Sequence, residues 1–366
     1  MLNLFILILF CTMIASWIEK SSGNHESVLI SIKKNSLTRI LFILLFIALT
    51  LFSGLRTSYN DTSAYTHAFI IDNFNHVTLG TLTENYGGFE IFQFLIKRFI
   101  SDDPQSLLIT YSIIVNAIFL WFFAKYSKHF TLTIFSYFIL GPYVFSMAGI
   151  KQIIAMSISL IAIDRMLNKK YIRFVLFILL AATFHPYIIC LFMLPFLRDG
   201  LLNRKTLWII LITIILSSNL ELLLNIAATV GQEYSTETLT SHTINPFRVA
   251  VELVPVIFII ANHKKLNTVE NPIFILGSNM LLISVALITM GLFFNPIYFG
   301  RIATYFSPLV AITIPIMLSE ISDTPQNRVL NTIVYYTIFI TYFFMDLTNL
   351  GRIPLSTDLF KHINIF

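Results

Sequence analysis

Apolar runs of membrane-spanning length follow one another from Leu2 to Thr348, with no long polar stretch between them. They fall at about 2–18, 37–54, 106–124, 130–147, 150–167, 171–184, 186–197, 206–226, 247–262, 272–294, 300–319 and 329–348. A bilayer core about 30 Å thick offers no water to backbone N–H and C=O groups, so such runs must satisfy their own hydrogen bonds as helices. The fold class this imposes is all-α: a polytopic bundle of about 10–12 membrane helices, one integral domain over residues 1–366. At 56% hydrophobic and 12% charged residues, with a mean hydropathy of +0.80, the chain has no room for a separate soluble domain. The first run, Leu2 to Ile18, lacks a basic leader and a small-residue cleavage site, so it is expected to stay as the first span.

The net charge of +5 is not a nucleic-acid footprint, because Lys and Arg sit in short clusters between the apolar runs and act as topology signals. Cys11 and Cys190 lie inside apolar segments, form no CxxC pair, and are expected to behave as small hydrophobes. No Asp-rich motif is visible, so neither a metal nor a cofactor is expected.

One break decides the topology. The run from Tyr171 to Leu197 is too long for a single span and is interrupted at His185-Pro186, where proline lacks a donor and biases its predecessor away from helix. Read as a hairpin of two short helices with His185 near the tip, this break puts all but eight of the 24 basic residues on the cytoplasmic side. The eight on the exterior are Arg56, Lys97, Arg98, Lys151, Arg248, Arg301, Arg352 and Lys361. Arg56, Lys151 and Arg301 each stand at the exterior end of a span, in three regions far apart in sequence. An anion would hold such cations against the topology rule; snorkelling, or pairing with Asp61, Glu84, Glu90 or Glu252, would do so as well.

The longest connection, residues 55–105, carries Arg56, Tyr59, Asn60, Asp61 and Tyr65, then "ENYGGFEIFQFLIKRF". After Gly87-Gly88, the residues Phe89, Phe92, Ile96 and Phe99 fall at helical spacing, which predicts an interfacial helix on the exterior surface. A second exterior loop, 231–247, is rich in Ser, Thr and Glu and free of Lys and Arg.

Taken in order, "GLRTSYNDTSAYTHAF", "GGFEIFQFLI", "GIKQIIAMSISLIAIDRMLNKKYIRFVLFILLAATFHPYIICLFMLPFL" and "NPIYFGRIATYF" resemble the EpsG family of Wzy-like bacterial polysaccharide polymerases. The resemblance runs from about Leu51 to Phe306. It implies a metal-independent membrane glycosyltransferase of the bacterial inner membrane. Such an enzyme moves a glycan from one undecaprenyl-diphosphate carrier to the sugar hydroxyl of another lipid-linked repeat unit, with a chain-length regulator as a candidate partner. The products in view are O-antigen, capsule or exopolysaccharide.

On that reading Arg56, Arg301 and Lys151 would hold the diphosphate. The family usually has Arg-Gln where this chain has Lys151-Gln152, and lysine keeps the charge but loses the bidentate fork. His185, Asp61 and Glu90 are the candidate bases; Asn60, Tyr65, Gln152 and Tyr305 are candidate glycan contacts, with Tyr59, Tyr86 and Tyr298 as further ring surfaces. Glu221, Glu252 and Asp346 are second-tier candidates, being carboxylates near exterior span ends. A flippase of the same lipid is the alternative from another class, and a lipid-carrier glycan ligase is a third. A flippase should carry charge through the membrane depth, whereas here the unusual charges gather toward one side.

Overall fold

A computed structural model describes residues 2–23, 27–217, 244–293, 296–349 and 356–357. Among these the fold is helix almost throughout, with one two-stranded pair as the exception. Five helices are long and apolar enough to cross a membrane, and a bent pair makes a sixth; several shorter apolar helices accompany them. The protein is therefore an all-α polytopic membrane protein. By internal contacts the chain divides into two units, one of Met1–Arg165, Ile172–His185 and Phe343–Phe366, the other of Met166–Tyr171 and Pro186–Tyr342.

The first unit begins with α1 (Leu2–Ser22), α2 (Val28–Lys34) and α3 (Ser36–Gly54). Strand β1 (Arg56–Ser58), α4 (Thr62–Ile71), a 3₁₀ turn at Leu79–Thr83 and α5 (Gly87–Phe99) make up the long connection. Then come α6 (Pro104–Tyr126), α7 (Phe130–Ile139), α8 (Pro142–Ala148), α9 (Ile150–Leu167) and α10 (Tyr171–Phe184). Helix starts follow their capping chemistry: Asn35 Oδ1 accepts from Leu37 N at 2.9 Å, and Asp103 Oδ1 from Gln105 N at 2.9 Å with Pro104 in the first turn. Helix α3 packs against both α1 and α6, and the core there is aromatic, with Phe119 stacked on Tyr137 at 5.1 Å. The outer face of α1, with Leu2, Phe5, Leu9, Phe10 and Trp17 exposed, has the chemistry of a lipid-facing stripe.

Ion pairs secure the far end of this unit. Asp164 of α9 is buried and accepts from Lys125, from the Tyr126 hydroxyl at 2.7 Å, and lies 3.6 Å from Arg165. Elsewhere in the unit Lys97, one of the eight cations that the sequence reading puts on the exterior, donates to the carbonyls of Phe69 (2.7 Å), Ile70 (3.1 Å) and Asp72 (2.7 Å). It therefore caps the C-terminal end of α4, where the helix dipole favours a cation.

The second unit contains α11 (Arg204–Ser217), α12 (Pro246–Ala261), α13 (His263–Leu266), α14 (Pro272–Met290), α15 (Pro296–Thr304), α16 (Val310–Glu320) and α17 (Pro325–Asn349), whose last residues belong to the first unit. Asn-Pro starts α12 and α14, Asn245 Oδ1 accepting from Phe247 N at 2.9 Å and Asn271 Oδ1 from Ile273 N at 3.0 Å. Helix α14 is the buried axis. Asn279 within it spends its whole amide on one turn, donating to the Leu197 (2.7 Å) and Gly200 (2.8 Å) carbonyls and accepting from Leu202 N at 3.0 Å.

Three expectations are corrected. The run 130–147 is two helices meeting at 44°, because Gly141 takes φ 93 and Pro142 opens a new helix. The run 300–319 is likewise α15 and α16, with Pro308 in the break. Residues Pro186–Leu197 form 3₁₀ and not α helix, since Pro186 and Pro195 both lack the donor that the ladder needs. The predicted helix after Gly87-Gly88 is α5, but its buried face is Phe89, Gln93 and Ile96, while Phe99, its last residue, is 75% exposed. Of the 231–247 loop, residues 231–243 lie outside the described residues, as do Glu221, Arg352 and Lys361 and the side chains of Tyr298 and Asp346.

Candidate functional site

The chain leaves α3 at Gly54, where a Cβ would sit 3.1 Å from the Cα of Ile109 on α6, so any side chain here would push the two helices apart by a few tenths of an ångström. Two residues later Arg56 turns back into the bundle and is wholly buried, 0% exposed. Its Nε donates to Thr62 Oγ1 at 2.9 Å, and Nη1 donates to the Ser53 carbonyl at 2.6 Å and to the Tyr111 hydroxyl. The guanidinium carbon lies 5.2 Å from the centre of the Tyr111 ring. Every one of these partners is neutral. Nη2 makes no hydrogen bond, and among the described residues no carboxylate pairs with this guanidinium. A buried cation in that state retains most of its desolvation penalty.

The neighbouring turn is built on the same threonine. Thr62 Oγ1 donates to the Tyr59 carbonyl at 2.6 Å and Thr62 N to the same oxygen at 2.9 Å, closing a loop over Asn60 and Asp61. Asn60 takes φ 42, a left-handed conformation that asparagine tolerates better than most residues. Asp61 stands at the head of α4 but is exposed, and its side chain makes no capping hydrogen bond.

A second cluster forms where α5 meets α9 and α10. A Cβ on Gly87 would strike the Thr81 carbonyl and one on Gly88 would come 2.8 Å from Thr183 Cβ, so Gly87 lets α5 start against the Leu79–Thr83 turn and Gly88 lets it approach α10. Tyr86, just before them, is left-handed at φ 63. Its ring faces two candidates at once. Lys151 Nζ, from the first turn of α9, lies 4.3 Å from the ring centre, and the His185 imidazole meets it edge-on at 5.5 Å. The ammonium also lies 5.3 Å from the centre of the Phe89 ring, and Tyr65 of α4 packs edge-on against Phe89 at 5.7 Å. Glu90 is the carboxylate that acts electrostatically on Lys151. Its own hydrogen bond, at 2.5 Å, goes to His76 Nε2, and that bond, with the charges of Asp72 and Glu84 adding to it, raises the His76 imidazole above its usual value.

The structure thus brings Lys151 and His185 onto one ring, with Tyr65 and Glu90 adjoining. Arg56 and Thr62 form a separate, buried nest. Gln152 is buried beside Lys151 on α9. Arg301 and Tyr305 belong to the second unit, where Arg301 is half-buried in the last turn of α15 and Tyr305 follows it, fully buried. Glu252, also in that unit, lies 4.0 Å from Arg248 one helical turn away. Sequence reasoning missed Tyr111, Thr62 and His76; the visible signal for the first was a tyrosine, a serine and an asparagine (Tyr111, Ser112, Asn116) buried in an otherwise apolar span. As for metal ligands, Asp72, His76 and Glu90 are the group among the described residues whose donor atoms lie within 4.8 Å of one another, and two of the three are already bonded to each other.

Comparison with known proteins gives one family. No curated protein and no solved structure matches the chain. A family model described as EpsG family matches residues 39–359, a stretch that includes both clusters and the second unit's Arg301. With its membrane helices and that match over most of its length, the chain belongs to the EpsG family, of Wzy-like polysaccharide polymerases.

Proposed function

We propose that this protein joins undecaprenyl-diphosphate-linked oligosaccharide repeat units into a surface polysaccharide at the exterior face of the bacterial inner membrane. The observation that carries this reading is Arg56, a buried guanidinium with neutral partners and a spare Nη2. A lipid diphosphate is the anion found at headgroup depth, and it is the leaving group of this reaction. In the step, the acceptor sugar hydroxyl attacks the anomeric carbon and the bond to the diphosphate breaks. The electron pair stays on the departing oxygen, where cations stabilise it.

Lys151 supplies a second positive charge and His185 stands against the same aromatic ring, so it is the candidate to take the hydroxyl proton. Asp61 is exposed and Glu90 is engaged with His76, which ranks both behind His185. Arg301 is assigned the diphosphate role from its place in the "NPIYFGRIATYF" stretch alone, and Asn60, Tyr65, Gln152 and Tyr305 keep the glycan-contact role.

The reading is tested in cells that make the polymer. Arg56→Ala or Arg301→Ala, at wild-type abundance in the membrane, should collapse long glycans to single-repeat products; normal chain lengths in both variants would remove the site assignment. Cysteines placed at Asn60 should react with an impermeant reagent from outside, and those at Lys169 or Lys264 should not. Outside labelling at Lys264 would overturn the His185 hairpin topology.

A further inference from the structure

Tyr86 is a residue whose backbone and side chain pull in opposite directions. At φ 63 and ψ 15 it occupies the left-handed region, where glycine and asparagine are at ease and a tyrosine is strained. The turn offers no relief, since Gly87 N donates to the Glu84 carbonyl at 3.1 Å and the Tyr86 carbonyl accepts from Phe89 N at 2.8 Å and Glu90 N at 3.1 Å, closing the first turn of α5. The side chain makes no capping bond there. A large ring held in a strained cap is explained by what the ring does. It lies 4.3 Å beneath the Lys151 ammonium and 5.5 Å from the His185 imidazole.

A carboxylate in that place would cancel the charge on Lys151. An aromatic face fixes the ammonium through its quadrupole and leaves the net charge available to a ligand arriving from the other side. We propose that Tyr86 is a positioning residue for anion binding: it holds Lys151 as an oriented cation that, among the described residues, makes no ion pair with a carboxylate, and it sets His185 against the same ring. The proposal rests on the polymerase reading only for the identity of the anion, a lipid diphosphate.

The test uses the purified full-length protein and farnesyl diphosphate as the probe, with equilibrium binding measured directly. Tyr86→Phe keeps the ring and should bind within about twofold of wild type. Tyr86→Leu should bind about tenfold more weakly, the loss expected for a partly desolvated cation–π contact, and Lys151→Met should show a similar loss. Because the ring acts through the ammonium, the double variant Y86L/K151M should bind no more weakly than K151M alone.

Tyr86→Gly separates folding from function, since glycine suits the left-handed backbone while deleting the ring. It should melt at or above the wild-type temperature and still lose the tenfold. Wild-type affinity in Y86L and Y86G, multiplicative losses in the double variant, or a wild type that does not bind the probe would each overturn the proposal. Polymer formation from lipid-linked repeats in proteoliposomes is scored separately. A wild type that follows these binding rules yet joins no repeats refutes the polymerase and leaves Tyr86 in its role.

Discussion

Replacing Gly88 by alanine tests whether the contact between α5 and α10 assembles the site. The added Cβ would stand 2.8 Å from Thr183 Cβ and 3.0 Å from the Thr183 carbonyl carbon, with Thr183 Oγ1 closer still. Carbon atoms settle at about 3.5–4.0 Å, so α5 must back away from α10 by roughly 0.5–1 Å. Thr183 cannot simply swing aside, because its hydroxyl donates to the Leu180 carbonyl at 2.8 Å and two of the clashing atoms are its Cβ and its backbone. Overpacking of this kind costs about 1–3 kcal/mol.

The displacement falls two residues from Tyr86 and two from His185, so it widens the 5.5 Å separation of those rings. A misplacement near 1 Å can cost about a hundredfold in rate. Glycan ladders from cells carrying Gly88→Ala, matched for membrane abundance, should shorten toward single repeats, and the solubilised protein should unfold at lower temperature. Adding Thr183→Gly removes two of the three clashing atoms and should recover part of the ladder, less about 1 kcal/mol for glycine in a helix. A wild-type ladder and unchanged stability in Gly88→Ala would refute the reasoning, since the helices could then not be in the contact described.

Other consequences concern stability. Asp164→Asn removes the charge that Lys125, Tyr126 and Arg165 share and should cost about 2 kcal/mol, read as a lower temperature of aggregation in detergent; unchanged stability would mean the cluster is not formed. Asn279→Leu strands two carbonyls and one N–H of the Leu197–Leu202 turn and should cost about 2–3 kcal/mol in the same assay, whereas an effect under 0.5 kcal/mol would contradict the hydrogen-bond assignment. The raised pKa of His76 sets a pH dependence whose sign follows from linkage. Its bond to Glu90 contributes fully below the ordinary imidazole value of about 6.5 and is lost as pH rises through the higher folded value. Proteolysis of the 72–84 segment, measured relative to Glu90→Gln, should therefore be slower at pH 6 and equal at pH 8. An equal ratio at both would dismiss the coupling.

Much of this architecture was readable before any coordinates. Hydropathy placed the helices at 2–18, 37–54, 106–124 and 272–294 to within a few residues, since a run without polar groups has no other use for its length in a bilayer. Asp103-Pro104 and Asn271-Pro272 announced helix starts through local chemistry. His185-Pro186 announced a stop. The spacing of Phe89, Phe92 and Ile96 announced α5, although it could not say that Phe99 would be left outside. Arg56 and Lys151 stood out because they are cations at the wrong end of their spans.

What the chain could not reveal alone is which of its singular residues share a neighbourhood. Lys97 and Lys151 look alike in sequence, each near a helix end that the charge pattern assigns to the exterior. In the folded protein both ammonium groups lie over two rings, but Lys97 is also consumed by three carbonyls at the C-terminal end of α4, whereas no such hydrogen bonds are made by Lys151 among the described residues. That difference arises from long-range packing, from Gly87 against the Thr81 turn and Gly88 against α10, and such approaches depend on what stands opposite. Composition and periodicity are properties of a segment and so determined the membrane fold; the partners of a charge belong to the surfaces that meet around it, and only the tertiary structure could decide them.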